Sequence, residues 1–161
     1  MPELVLVRHG KSDWGDPGLA DHNRTLNDRG RSDAPRMAAR LAGSGVGVER
    51  LLSSTAVRAR TTAEIFGETL GLAPELDPDL YLATAETLMA SAAASGAESV
   101  MVVAHDPGLS ELAARLSGGA IDHMPTCAVA RFIWRAGSWD DVSGRAADEW
   151  SIDTPRSASG R

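Results

Sequence analysis

The fold of this chain is decided by the stretch Leu4-Val5-Leu6-Val7-Arg8-His9-Gly10. Its four consecutive aliphatic residues are typical of a strand that is buried on both faces, as in parallel sheets. A second apolar run, residues 100–104, ends in the same way, at His105. Because open parallel sheets bind ligands beyond the carboxyl ends of their strands, we expect Arg8 and both histidines to lie at one edge of the sheet.

The size and charge of the chain bound its class. Its 161 residues suit one domain that is long enough to bury a sizeable core. A formal net charge of -6 disfavours a general nucleic-acid binder, and any anion site should be a local cluster of positive groups. Cys127 is the only cysteine, which excludes an intrachain disulfide and zinc motifs of paired cysteines. The chain shows no targeting stretch and no run of membrane-spanning length, so we expect a soluble cytoplasmic protein.

Strands and helices alternate along the chain, which predicts an α/β fold built on a mainly parallel sheet. Apolar residues at helical spacing predict four helices: one through residues 34–41, one from Ser54 to Gly71, one from about Thr84, and one after Asp106. Two later strands, residues 128–135 and 149–152, are expected near a sheet edge. We expect one domain, residues 1–153, followed by a disordered tail, residues 154–161.

Pro35 leaves two readings for the start of the first helix. It is comfortable in a first turn that is capped by Asp33, but it would kink a helix that begins at Asn27. The next helix has a simpler start, since Ser54 can cap it.

Arg58 lies in the first turn of the helix that follows the second strand. Helix N-termini attract anions, and the arginine fork suits phosphate oxygens. With Arg8 and His105 also at strand ends, these groups can surround one phosphoryl group with His9 beneath it. A neutral imidazole can attack phosphorus in line while donors stabilise the equatorial oxygens. Water would then hydrolyse the phosphohistidine, and no metal or other cofactor is needed.

Three segments together resemble the histidine phosphatase superfamily: the Arg8-His9-Gly10 triplet, residues 53–59 with Thr62-Ala63, and residues 103–107. The short chain, Lys11-Ser12 and the stretch from Arg24-Thr25-Leu26 to Gly30 are similar to the small phosphohistidine phosphatases of bacteria. The resemblance spans roughly residues 3 to 153.

The resemblance implies a phosphoglycerate mutase-like three-layer sandwich with helices on both faces of the sheet. It implies that His9 is the phosphoryl acceptor and that Arg8, Arg58 and His105 form its phosphate pocket. Arg24 would be a lesser pocket member, although the residues alone equally allow it to pair with Asp21 or Asp28 on the surface.

The sequence differs from the larger members of the family in its proton donor. Many of them supply a glutamate from an inserted segment in the middle of the chain. Here residues 77–86 carry no clear match, and Asp79, Glu86 or solvent remain as candidates. A positioned acid contributes about 10²–10⁴-fold in rate. A phosphoramidate needs it less, because its nitrogen can be protonated from solvent, so the missing acid fits a nitrogen–phosphorus substrate.

We therefore expect a metal-independent phosphatase that acts on phosphohistidine in a protein, with neither nucleic acid nor membrane as partner. The alternatives are a phosphatase of a small phosphorylated metabolite and a non-catalytic module that binds phosphate or a phosphoprotein.

Of the remaining candidate residues, Trp14 lies in the loop after His9 and can form part of the pocket wall. His22 and His123 have no supporting pattern and are expected in loops, and the oligomeric state stays open.

Overall fold

A six-stranded sheet forms the centre of the molecule in the computed structural model, which describes residues 1–157. The strands are β1 (Glu3–Arg8), β2 (Arg50–Ser53), β3 (Pro74–Leu76), β4 (Ser99–Ala104), β5 (Val129–Ile133) and β6 (Glu149–Asp153), in the spatial order β3-β2-β4-β1-β5-β6. Strands β1 to β4 run parallel, whereas β5 runs antiparallel to both of its neighbours, β1 and β6. The two predicted late strands do lie at one side of the sheet, with β6 at its edge.

Helices cover both faces of the sheet. They are α1 (Asp28–Gly43), α2 (Val57–Leu70), α3 (Ala85–Ala93), α4 (Gly108–Leu116) and the single turn α5 (Trp139–Val142). One core lies between the sheet and α1 with α2, and the other between the sheet and α3 with α4. Successive residues of β1 alternate between these cores, with Val5 and Val7 in the first and Leu4 and Leu6 in the second. The predicted α/β sandwich with a doubly buried first strand is confirmed.

The start of α1 follows one of the two readings of Pro35. Asn27 caps the helix, and its side-chain oxygen accepts a hydrogen bond from the N–H of Gly30 at 2.9 Å. Asp33 is not a cap, because it is buried within α1 and pairs with Arg36 at 2.8 Å. Pro35 therefore lies inside the helix.

The segment after β6 is described as far as residue 157. Residues 154–157 lie against α1, where Arg36 donates to the carbonyl oxygen of Pro155 at 2.8 Å and Arg40 donates to that of Thr154 at 3.1 Å. The small, polar residues of this segment are typical of a tail, but two of their backbone carbonyls have arginine partners on α1. Residues 158–161 lie outside the described residues. Within residues 1–157, no helix is both long and apolar enough to cross a membrane.

Candidate active site

The two predicted histidines meet at one edge of the sheet. β1 and β4 are neighbours with Arg8 opposite Ala104, so His9 and His105 leave the sheet side by side. Their ring centroids are 5.1 Å apart, and the residues are only 6% and 2% exposed. The parallel pairing of β1 with β4 therefore brings together two imidazoles that lie far apart in the sequence.

A backbone hydrogen bond fixes the tautomer of His9. Its Nδ1 lies 2.7 Å from the carbonyl oxygen of Gly10. A carbonyl oxygen only accepts, so Nδ1 carries the proton and the neutral ring keeps its lone pair on Nε2. Gly10 is itself held by Thr62, whose hydroxyl accepts from the Gly10 N–H at 3.0 Å and donates to the carbonyl oxygen of Arg58 at 2.8 Å. Thr62 thus links the residue after His9 to the first turn of α2 by two hydrogen bonds.

Burial keeps both imidazoles neutral. It lowers the pKa of His9 to about 4, and the charges of Arg58 and Arg8 act in the same direction. Burial also lowers the pKa of His105 to about 3, with the neighbouring His9 and Arg58 adding to the effect. At neutral pH, His9 is therefore an uncharged base whose Nε2 lone pair is free of a proton.

Arg8 and Arg58 bring guanidinium groups to the same edge. Arg58 is the second residue of α2, as predicted, and is 3% exposed. Within residues 1–157, the Nε atoms of both arginines and the Nδ1 atom of His105 are buried without a hydrogen-bond partner. Native proteins rarely leave buried polar atoms unpaired. An oxyanion that carries several acceptor oxygens would satisfy such donors together.

Ser54 has a different role from the helix cap that its position suggested. The N-terminal cap of α2 is Ala56, and no side chain among residues 1–157 caps the helix. The Ser54 hydroxyl instead lies 2.7 Å from Nε2 of His105 and accepts the N–H of Ala56 at 3.2 Å. It orients the second imidazole because β2 ends beside β4, a pairing that local sequence does not show.

Arg24 pairs with Asp21, but it does so in the pocket wall and not on the surface. Its Nε donates to the Asp21 carboxylate at 3.1 Å, and its guanidinium also donates to Ser12 at 2.6 Å. It is nevertheless 7% exposed and lines the same pocket as His9, so the pair with Asp21 lies in the pocket wall. The guanidinium stacks 3.4 Å over the ring of Trp14, which itself is 74% exposed at the pocket mouth.

Asp21 and Tyr81 belong to the site although sequence reasoning gave neither a role in the pocket. The Asp21 carboxylate accepts from Tyr81 and from Arg58, the latter at 3.1 Å. The hydrogen bond from Tyr81 is the main reason that the pKa of Asp21 falls to about 2. Asp21 lies three residues before Arg24, which was a usable local signal. Tyr81 is sixty positions away, and only the fold brings it near.

Neither proposed proton donor lines this pocket. Asp79 borders a separate depression beside β3 and α3, and Glu86 pairs with Arg115 on the exposed face of α3 and α4. Of the candidates Asp79, Glu86 and solvent, the two carboxylates lie away from the pocket, and the 77–86 segment instead brings Tyr81 to Asp21 and His105.

The pocket encloses about 340 Å³. Its lining residues are Arg8, His9, Lys11, Ser12, Trp14, Asp21, Arg24, Arg58, Leu82, His105, Asp106 and Thr126. The structure thus brings together all five predicted site residues. His22 lies beside the pocket, bonded to Thr55 at 2.8 Å, and His123 borders a neighbouring depression. Among residues 1–157, no group of three or more His, Cys, Asp or Glu residues is placed to hold a metal ion.

Comparison with known proteins points in one direction. Residues 4–81 match the model of the histidine phosphatase superfamily, branch 1. An uncharacterized protein of Mycobacterium tuberculosis strain H37Rv is 32% identical over 162 aligned residues, which cover 93% of this chain and 100% of that protein. The phosphohistidine phosphatase SixA of Escherichia coli K12 is 28% identical over 156 residues, covering 93% of this chain and 92% of the relative. The solved structure of the protein histidine phosphatase SixA complexed with tungstate has a TM-score of 0.75 at 28% identity, covering 94% of each chain. This likeness in fold confirms the architecture that the resemblance implied.

Proposed function

Because this chain belongs to the histidine phosphatase superfamily, we propose that it hydrolyses a phosphoryl group through a phosphohistidine formed at His9. The observation that carries the proposal is the hydrogen bond from Nδ1 of His9 to the carbonyl oxygen of Gly10. It leaves Nε2 as the one ring atom able to attack. The proposed phosphate pocket of Arg8, Arg58, His105 and Arg24 lines the same depression as His9.

The first chemical step forms a bond from Nε2 to phosphorus while the bond from phosphorus to the leaving group breaks. The leaving group departs with the electron pair of that bond and gains a proton. The guanidinium groups of Arg8 and Arg58 stabilise the charge on the equatorial oxygens, which is the electrostatic task that a metal ion performs in other phosphoryl transfers. His105 adds its unpartnered Nδ1 to the same group of oxygens.

The second step restores the free enzyme. Water attacks phosphorus opposite Nε2, the phosphorus–nitrogen bond breaks, and inorganic phosphate leaves with the oxygen of that water. One water proton passes to solvent, and His9 returns to its neutral form. A neutral ring is also the form that burial maintains in the resting protein, so each cycle ends where it began.

We assign phosphohistidine in a protein as the substrate. Among residues 1–157, Asp21 and Asp106 are the carboxylates that line the pocket. Asp106 lies 3.6 Å from Arg8, and hydrogen bonds from Tyr81 and Arg58 keep Asp21 ionised, with a pKa of about 2. It holds no proton to donate at neutral pH. An imidazole leaving group can take its proton from solvent, whereas an alkoxide leaving group needs a positioned acid. The SixA relative is named a phosphohistidine phosphatase, and a SixA structure holds tungstate, a tetrahedral oxyanion.

The proposal is tested by trapping the intermediate. The protein is incubated with phosphoramidate in the presence of EDTA, denatured in alkali, and examined for acid-labile phosphate on His9. His9→Ala should abolish the trapped phosphate and lower kcat by more than about 10³-fold, as expected for loss of a nucleophile. His22→Ala is the matched control, because it removes an imidazole outside the pocket lining, and it should retain the phosphoenzyme.

The substrate class is tested separately. The kcat/KM on a phosphohistidine peptide should exceed that on a sugar phosphate by at least about 10²-fold, the smaller of the factors associated with a positioned acid. Comparable values would favour a phosphatase of small metabolites. Binding of phosphate without turnover of any substrate would favour a non-catalytic module, and turnover that survives His9→Ala would overturn the mechanism.

A further inference from the structure

A second depression adjoins the proposed catalytic pocket. It encloses about 360 Å³ and shares Arg8, Lys11 and Thr126 with that pocket, so these residues line both depressions. We call it the basic annex; its lining residues are Arg8, Lys11, Arg29, His123, Pro125, Thr126, Thr154, Pro155 and Arg156. Of these residues, the proposed catalytic steps use Arg8, and they give the others no role.

The annex carries a local excess of positive charge in a chain whose net charge is -6. Two of its cations have nearby carboxylates: Arg29 lies 3.5 Å from Asp33, and Arg8 lies 3.6 Å from Asp106. Lys11 and Arg156 form no ion pair with any of residues 1–157. Of the part of the chain that the structure describes, no acidic side chain lines the annex itself. Such a cluster lowers the free energy of an anion placed there.

Tertiary contacts of the two preceding residues hold Arg156 in place. Pro155 is buried, and its carbonyl oxygen accepts a hydrogen bond from Arg36 at 2.8 Å. Arg40 holds the adjoining Thr154 in the same way at 3.1 Å. Since α1 anchors these two neighbours, the charge of Arg156 is presented at the annex in a constrained segment.

We propose that the basic annex binds a second anionic group of the substrate while the first, the phosphoryl group, occupies the pocket of His9. This inference rests on the proposed function and names a feature of its substrate. Because Arg8 and Lys11 border both depressions, the second anion lies on the same molecule, close to the scissile bond. A carboxylate beside the phosphohistidine of a protein and a second phosphate of a small molecule share this chemistry, and experiment separates them.

The experiment compares kcat/KM for paired substrates. One pair is a phosphohistidine peptide with aspartates flanking the modified residue on both sides and the same peptide with asparagines. The other pair is a sugar bisphosphate and the corresponding monophosphate. Exposed ion pairs contribute modestly, so we expect the doubly anionic member of the preferred pair to be favoured by about three- to tenfold at low salt. The preference should shrink at 0.5 M salt because screening weakens exposed charges.

The variants Arg156→Glu and Arg29→Gln test whether the annex causes that preference. Both should reduce it to less than about twofold, with kcat/KM on p-nitrophenyl phosphate unchanged, because neither residue lines the catalytic pocket. Arg60→Glu is the matched control, since this exposed arginine on α2 lines neither depression. It changes the net charge as Arg156→Glu does and should preserve the preference.

Each outcome bears on a distinct claim. A preference for the aspartate peptide that the annex variants remove supports a protein substrate, and a preference for the bisphosphate that they remove supports a small-molecule substrate. Equal rates within both pairs, or a preference that survives both variants, would overturn the annex. Turnover of no substrate, p-nitrophenyl phosphate included, would instead overturn the proposed function and the inference that rests on it.

Discussion

Arginine–carboxylate pairs occur in two settings in this molecule, and the contrast separates function from surface chemistry. The pairs Arg50–Glu75 and Arg115–Glu86 have side chains between 40% and 67% exposed. At the strand ends, Arg58 is 3% exposed and faces the partly exposed Asp21. Exposed pairs contribute about 0–1 kcal/mol, whereas a buried charge loses its hydration and needs a compensating partner. The exposed pairs therefore contribute little to stability, whereas the buried guanidinium of Arg58 carries a desolvation penalty that its partners must offset.

Among the arginine–carboxylate pairs, the largest effect on kcat should come from removing the buried guanidinium of Arg58. Arg58→Ala is expected to lower kcat by about 10²–10³-fold, the loss seen when one donor to a developing oxyanion is deleted. Arg115→Ala, which breaks an exposed pair, is the matched control and should change kcat by less than about twofold. Steady-state kinetics on phosphoramidate measures both variants.

Arg58→Lys sharpens this comparison, because it keeps the charge but removes the planar fork. Partial recovery of kcat would show how much of the effect is charge alone. Equal losses in Arg58→Ala and Arg115→Ala would contradict the distinction between the two settings.

A smaller effect is expected where the backbone behind the strand ends is tightly packed. A Cβ added to Gly30 would lie 2.3 Å from the carbonyl oxygen of Lys11, so Gly30→Ala forces α1 away from the loop that follows His9. We expect a loss of about 1–3 kcal/mol in the free energy of unfolding, as for other overpacked sites.

Urea unfolding measures this change. Gly43→Ala is the control from the same helix, because a Cβ there meets nothing within 4 Å, and it should leave the stability equal or slightly higher. Similar stability of the two variants would show that the close approach at Gly30 can relax.

The most gradual effect is on the pH dependence of stability. The pKa values of His9 and His105, about 4 and about 3, lie below their ordinary value of 6.5. Between those limits the unfolded chain binds more protons than the folded one, so the free energy of unfolding falls as the pH is lowered from 6.5 toward 4. The slope is up to about 1.4 kcal/mol per pH unit for each histidine.

Chemical denaturation between pH 6.5 and 5 isolates this contribution. The exposed Glu75 and Glu86 and the site carboxylate Asp21 have lowered pKa values and lose their favourable contribution only at more acid pH. His9→Asn should flatten part of the slope. A wild-type stability that stays constant across this interval would contradict the neutral, buried state of the pair.

Much of the fold was readable from the chain because its signals are local. The run Leu4–Val7 predicted a doubly buried strand, and Gly71 ends α2 in the left-handed conformation, at a φ of 75°. Arg58 was expected in a first turn and is found there. The start of α1 could not be chosen from the sequence, because Pro35 favours a start near Asp33. In the structure the cap at Asn27 begins the helix earlier and leaves Pro35 inside it.

The site itself was readable only in part. His9 and His105 could be paired from sequence because parallel strands deliver their carboxyl ends to one edge. Asp79 and Glu86 lie outside the pocket because the orientation of a short connecting segment depends on what it packs against. That packing turned Tyr81 toward Asp21, and no periodicity encodes it.

What the sequence determined by itself was the set of buried strands, the residues at their ends and the chemical types that meet there. Hydrophobic patterning and helix termini are properties of neighbouring residues, so they survive without a structure. The folded arrangement was needed to assign the proton position on His9, the ionised state of Asp21 and the placement of Arg156. Each of these depends on burial and on partners far along the chain, because desolvation and hydrogen bonding act through space.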